Sequence, residues 1–437
     1  MTLPHRVDRA YTRTNERSLS RLPEGTAMTA AAEIDLNDVD RFNDGVPHEW
    51  FTLLRREEPV YWQEERDGPG FWNITKYSDL VSASRQPNLF SSWLGATNSF
   101  DLTPEDLEQS RLLMLNMDPP KHPKFRRLVS RGFTPKRIAM LADHIRALAK
   151  RIVDDVAERG ECDFVDDVAA RLPMETICEM IGVPESDRRH IYDLSNKLIG
   201  FDDPDFQENR AGAPNAAAEM YLYAENLAQE RRKCPMDDLA TVLLHGEIDG
   251  EQLTSAEFDS FFLLLALAGN ETTRTVTAQG MRLLIEHPEQ RRRVLDDMSL
   301  LPSAVEEMLR YNPAVIHFRR TASADTELRG KKIRKGDKVL MWYPSANRDE
   351  EVFEDGQRFD IGRAPNEHLA FGIGEHYCLG ANLARLQLNT IFSELLTRVP
   401  DMEFAGPLRR LRSNFIDGIK EMPVRFTPES ERLRRMS

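Results

Sequence analysis

The 437-residue sequence predicts a mainly α fold with small β-sheets. Three observations carry that expectation. Helical periodicity dominates from about Pro104 to Leu309, short alternating runs are confined to two places, and no internal repeat divides the chain. Hydrophobic residues make up 41%, enough to fill a large core. One large domain over residues 33–428 is therefore expected rather than a string of modules, with a polar lead over 1–32 and a short tail over 429–437.

In the lead, Arg9, Arg13, Arg17 and Arg21 recur every four residues, but little apolar surface exists there to bury. It reads as an unpacked extension, and Met28 is an alternative start. Globular patterning begins near Glu33. Val60 to Trp62 and Phe71 to Ile74 are β-like runs joined by a glycine-bearing turn, which predicts a hairpin. Ile138 to Glu158, Met220 to Arg232 and Ala256 to Glu286 are the strongest helical stretches. Arg319 to Tyr343 carries two short alternating runs around Gly330 and Gly336, an irregular segment spans Asn347 to Phe371, and a final helix is expected near Ala381 to Leu396.

Charge and cysteine usage remove several functional classes. Against 58 basic residues stand 72 acidic ones, and the net charge of −14 disfavours nucleic acid or an anionic membrane as the main partner. Cys162, Cys178, Cys234 and Cys378 form no CxxC pair, so neither a disulfide framework nor a zinc ribbon is expected, and a reducing, cytoplasmic location fits. The most apolar stretch, Phe261 to Gly269, runs into Asn270 and Glu271 far short of the ~20 residues a membrane span requires. No membrane anchor is expected.

The segment His368 to Arg385 concentrates the chemistry. Gly372, Gly374 and Gly380 let the backbone turn tightly and approach a flat ligand closely. Cys378 precedes an amphipathic helix, whose N-terminal N–H groups and dipole favour a thiolate able to bind iron. A lone cysteine is ordinarily a buried small hydrophobe, and the surrounding glycines set this one apart.

With Phe371, Gly374, Cys378 and Gly380 in the pattern FxxGxxxCxG, this segment resembles the haem-ligand signature of the cytochrome P-450 monooxygenases. The resemblance covers roughly Glu33 to Pro428. It implies the cytochrome P-450 fold, with haem b held between a long central helix and the cysteine loop. It further implies Cys378 as the axial iron ligand, Phe371 and Gly372 beside it, and His376 on a haem propionate. A thiolate ligand pushes electron density toward iron and favours O–O cleavage. Ala268, Gly269, Glu271 and Thr272 (AGNETT) match the family's oxygen-activation motif in the Ala256 to Glu286 helix. Thr272 is implied to organise water and deliver protons during dioxygen activation, with Glu271 feeding it. Glycine and threonine are poor mid-helix residues, so a local distortion is expected there.

Glu307 and Arg310 fit the ExxR pair, which in the family joins an arginine matched here by Arg358 in DGQRF. Gly356 stands where the family commonly has proline. His122 and Arg126 match HxxxR, and Arg320 is preferred to Arg319 as a further propionate partner because it lies five residues before Asp325. Neighbouring strand residues point to opposite faces. The run Lys121 to Arg137 holds seven basic residues and no acidic one, and the resemblance implies that an acidic iron-sulfur ferredoxin, itself served by a ferredoxin reductase, docks there.

The resemblance draws the substrate pocket from Phe90 to Leu115, Leu198 to Phe201, Leu264 to Ala268, Val315 to Phe318 and Asn414 to Gly418, with Trp93, Phe100, Phe318 and Phe415 prominent. A hydrophobic substrate follows. The stretches DPPKHPKFRRLVSRGFTP, LALAGNETTR and NFIDGIK are similar to the bacterial subgroup that oxidises sterol side chains, methyl-branched lipids and terpene alcohols. The implied reaction uses dioxygen and two electrons to hydroxylate an unactivated C–H bond. Fatty-acid or alkane hydroxylation and peroxide-driven oxygenation are the alternatives.

Overall fold

The computed structural model of the chain describes residues 31–66, 68–206 and 212–436. Residues 1–30 of the lead, with Arg9, Arg13, Arg17 and Arg21, lie outside the described residues.

Long helices make up the larger part of the molecule and enclose one extended apolar core, while residues of the largest sheet form two smaller apolar clusters. The 32-residue helix Ser255–Glu286 runs through this core. Thr254 and Glu257 start it with a reciprocal capping box, which satisfies two backbone donors that the first turn leaves free. The helices Arg171–Ile181, Arg188–Ile199 and Gly212–Lys233 pack against it, and Leu301–Tyr311 and Ala381–Arg398 border its other end. Its second half buries Thr273, Thr275, Thr277 and Gln279 along with Val276, Met281 and Leu283. A helix covered on all sides has no solvent face to display, so its hydrophobic periodicity fades.

The expected distortion does not interrupt this helix. The element is unbroken from Ser255 to Glu286, although the Thr272 hydroxyl donates back to the Ala268 carbonyl at 2.8 Å. Tertiary packing overrides the local preferences, because Ile177 of a neighbouring helix fills the space over Gly269.

A five-stranded sheet orders Val60–Gln63, Phe71–Ile74, Lys338–Trp342, His317–Ala322 and Phe90–Ser91. The hairpin expected at the N-terminal side is present, with Val60 opposite Ile74. Between Arg319 and Tyr343 the two expected runs resolve into four strands rather than two. Arg329 and Gly330 both take positive φ (48° and 78°), which closes a separate two-residue hairpin between Thr326–Leu328 and Lys331–Ile333. The outer strands are thereby free to pair with each other in the main sheet.

The terminal residues also differ from expectation. Glu429–Met436 is helical, although it is strongly polar. Arg398 holds Glu429 at 2.5 Å and the Glu158 carboxylate accepts from the Ser430 N–H at 3.0 Å, so ion pairs and a capping contact replace an apolar face. Among the described residues no helix is long and apolar enough to cross a membrane.

Candidate active site

The central helix and the cysteine segment face one another across a cavity. Ala268, Gly269 and Thr272 line it from the helix, and Phe371, Gly372, His376, Cys378 and Gly380 line it from the segment. Gly374 turns the segment with φ +76°, and a Cβ there would meet the Ser84 carbonyl at 2.6 Å, so only glycine fits. A 3-10 turn, Gly374–His376, follows, and the Cys378 N–H then donates to the Phe371 carbonyl at 2.8 Å. This bond closes the loop around the sulfur. Arg385 lies over the Phe371 ring at 4.6 Å and holds the ring beside it.

Helix Ala381–Arg398 begins three residues after Cys378. In this state burial pushes the Cys378 thiol up, opposed by the Gly380 N–H and by Arg126 and Arg385. The Gly380 N–H and the two arginines act in the direction expected of a helix start, and burial acts against them.

Four basic side chains converge on the cavity from three elements. His122 and Arg126 come from helix Lys121–Ser130, Arg320 from strand His317–Ala322 and His376 from the cysteine segment. The His122 and His376 rings lie 4.2 Å apart. Burial, then Arg320, His122 and Arg126, push the His376 imidazole down to about 2, so it is neutral. Arg126 donates to the Tyr377 carbonyl at 2.6 Å. Arg320 is 4% exposed, donates to the Arg319 carbonyl at 2.8 Å, and has no carboxylate within salt-bridge distance among the described residues. Arg319 points away and pairs with Asp101 at 2.8 Å, as strand alternation requires.

Two other expected residues lie elsewhere. Glu271 is 1% exposed and does not line the cavity. It is ion-paired to Arg274, which donates to Asn196 at 2.6 Å and Tyr192 at 3.1 Å. A residue adjacent to Thr272 is rotated ~100° around the helix, so the two side chains cannot share a face. Burial raises the Glu271 carboxyl while Arg274 opposes.

Arg358 does not complete the Glu307 and Arg310 pair with its side chain, which is exposed. It offers only its carbonyl, to Arg310 at 3.0 Å. Arg363 takes the place instead, with Nε 3.2 Å from Glu307. Glu307 and Arg310 are fully buried, paired at 2.7 Å, and the carboxylate also accepts from the Asp360 N–H and the Asn366 amide. Arg363 and Asn366 escaped sequence reasoning because only the path of the intervening loop brings them to this carboxylate.

Much of the remaining wall is apolar, with Met114, Leu115, Ile177, Leu264, Val315 and Phe318 lining it, while Ser84, Thr273, Tyr343, Tyr377 and Gln387 add polar groups. Of the four aromatics expected there, Phe318 lines the cavity and Phe415 stands behind it at 5.7 Å. Phe100 instead packs edge-on against Phe201 at 5.5 Å, and Trp93 lies between Arg111 and Lys121.

These residues fit the haem b that the resemblance implies. A buried guanidinium cannot deprotonate and is costly without an anion, and Arg320 faces the cavity without one. A ligand with two carboxylates, a flat apolar body and a metal for the cysteine meets each of these demands.

A family model described as Cytochrome P450 matches residues 94–399. A steroid C26-monooxygenase of Rhodococcus jostii is 40% identical over 94% of this chain and 86% of its own length. A methyl-branched lipid omega-hydroxylase of Mycobacterium bovis is 42% identical over 91% of this chain and 95% of its own length. Among solved structures, a Mycobacterium marinum cytochrome P450 in complex with pseudoionone superposes with a TM-score of 0.83 at 37% identity, covering 94% of this chain and all of that one. A Bacillus megaterium enzyme in complex with testosterone gives 0.76 at 33% identity, covering 87% and 99%.

Proposed function

The chain belongs to the cytochrome P450 family, and on that premise we propose that it hydroxylates a C–H bond at or near the end of a sterol side chain or methyl-branched lipid. It is a monooxygenase, its cofactor is haem b, and it depends on redox partners and a hydrophobic substrate. Cys378 would bind the haem iron, and His122, Arg126, Arg320 and His376 would meet its propionates. When bound, the haem supplies dioxygen activation.

The chain's own residues then have distinct tasks. Thr272, at the cavity wall, would hold water and pass a proton across from the helix side. Glu271 would take part only by way of its buried cluster with Arg274, Tyr192 and Asn196. The observation that carries the substrate reading is the apolar part of the wall, where Met114, Leu115, Ile177, Leu264, Val315 and Phe318 lie together. A hydrocarbon end seated against such a wall is selected by shape and desolvation, whereas a polar end would lose its water without compensation. The names of the two relatives point the same way.

For electrons, we infer an iron-sulfur ferredoxin and its reductase. Helix Lys121–Ser130 touches the cysteine segment through Arg126. Lys121, Lys124 and Arg137 are paired with acidic side chains, but Arg127, Arg131 and Lys136 are exposed and have no carboxylate partner among the described residues. They form a basic surface suited to an acidic donor.

The test is a ligand panel of cholestenone, phytanic acid, linalool, terpineol and linear fatty acids, scored by the shift of the haem band and then by product mass spectrometry. Binding of the linear acids only would sink the substrate reading. Cys378→Ala should abolish the thiolate-type carbonyl spectrum, and its persistence would refute the ligand assignment.

A further inference from the structure

We propose that Glu375 is a positioning residue that holds His122 as a doubly donating imidazolium toward the anionic edge of the bound cofactor. Glu375 belongs to none of the motifs matched above. The inference rests on the reading that the cavity holds haem.

His122 Nδ1 lies 2.9 Å from Glu375 Oε1, and the imidazole is 1% exposed. An ionised carboxylate can only accept, so Nδ1 carries the hydrogen. Glu375 does not line the cavity and His122 does, so the bonded nitrogen faces away from the cavity and Nε2 is left for it. A propionate is likewise only an acceptor. Nε2 can meet it with an N–H only when the ring is protonated, and then the imidazolium sits between two carboxylates. Without Glu375 the ring would be a buried imidazole beside cations. It could turn its single N–H toward the propionate, but as a neutral donor with no fixed tautomer.

The charged and titratable groups around His122 are few. The cysteine segment contributes Glu375 and His376, its own segment contributes Arg126 and Asp118, and strand His317–Ala322 contributes Arg320. Burial, with Arg126, holds the ring below its ordinary basicity against Glu375 and, less, Asp118, so the imidazolium needs the cofactor's carboxylate as a second anionic partner. Asp118 is already engaged with the hydroxyl of Ser91 and the N–H of Ser92. Glu375 is thus the acidic group in hydrogen-bond contact with the ring. Its side chain is 29% exposed, so an isosteric change there should leave the fold intact.

The experiment loads wild type and Glu375→Gln with haem and follows transfer of haem to excess apomyoglobin from pH 6 to 9. In wild type, loss should accelerate as rising pH deprotonates His122. Glu375→Gln should lose haem about tenfold faster at neutral pH, the worth of one charge-assisted bond. Its acceleration should begin about one pH unit lower. Glu375→Asp should restore most of both. In a His122→Gln background, Glu375→Gln should add nothing. An unchanged rate and pH profile in Glu375→Gln overturns the proposal, as does an undiminished effect in the His122→Gln background. A wild type that takes up no haem with the thiolate-type spectrum sinks the underlying reading instead.

Discussion

The exchange of Arg358 for Arg363 beside the buried ion pair can be measured. Arg363 places Nε 3.2 Å from Glu307 and donates to the carbonyls of Glu354 (2.8 Å), Asp355 (3.2 Å) and Arg358 (3.1 Å). Its side chain is 11% exposed, so solvent screens these contacts little. Arg363→Ala removes one cation from a carboxylate at 0% exposure and frees three loop carbonyls. Arg310 stays on Glu307, so the cost should sit near the low end for breaking a buried pair, about 3 kcal/mol. That is roughly a hundredfold in the folded-to-unfolded ratio. The Arg358 side chain makes no such contact, and Arg358→Ala should stay within about 0.5 kcal/mol of wild type. In urea, followed by circular dichroism and the haem band, Arg363→Ala should lower the midpoint by about 1 M at a slope near 3 kcal/mol per M. Arg358→Ala should barely move it. An Arg358→Ala midpoint falling as far as that of Arg363→Ala would refute the assignment of roles.

Thr272→Ala should fold normally, because the lost hydroxyl bonds only the Ala268 carbonyl of its own helix, and should divert reducing equivalents to hydrogen peroxide. Product formed per NADH consumed measures this, and unchanged coupling would remove the proton role. Gly269→Ala should destabilise by roughly 1–2 kcal/mol despite alanine's better helix propensity, since the new Cβ would meet Ile177 at 2.5 Å. In an Ile177→Ala background the same change should stabilise, which a thermal double-mutant cycle reads directly. His317 donates through Nδ1 to the Asn414 carbonyl at 2.9 Å, and burial pushes it down to about 4. Its folded value lies below the unfolded 6.5, so its contribution is intact above pH 6.5 and is lost as pH falls toward 4, at about 1.4 kcal/mol per unit. His317→Gln should flatten that part of the urea midpoint against pH, and an unchanged slope would reassign it.

Residues that act through local geometry were legible in the sequence. The cysteine segment announced itself because a tight turn and close approach to a flat ligand need glycine at fixed offsets from Cys378. The two main-sheet strands near Gly330 and Gly336 and the long helices showed in their periods. The inner hairpin was missed because the positive φ of Arg329 is not an arginine signature. The polar C-terminal helix was missed because ion pairs from distant residues hold it.

The order of the motifs along the chain determined the family and the cofactor, and it singled out Cys378 as the residue that would hold it. Which groups share a space was decided by tertiary structure. Glu271 follows the helix turn away from Thr272 and joins Arg274, Tyr192 and Asn196. Arg363 rather than Arg358 reaches Glu307, where a turn bonds the Arg363 N–H to the Asp360 carbonyl. Glu375 meets His122 across 253 residues of sequence. Spacing along a chain encodes turns of a helix and alternation of a strand, but the partner of a buried charge is fixed only when separate elements close around it.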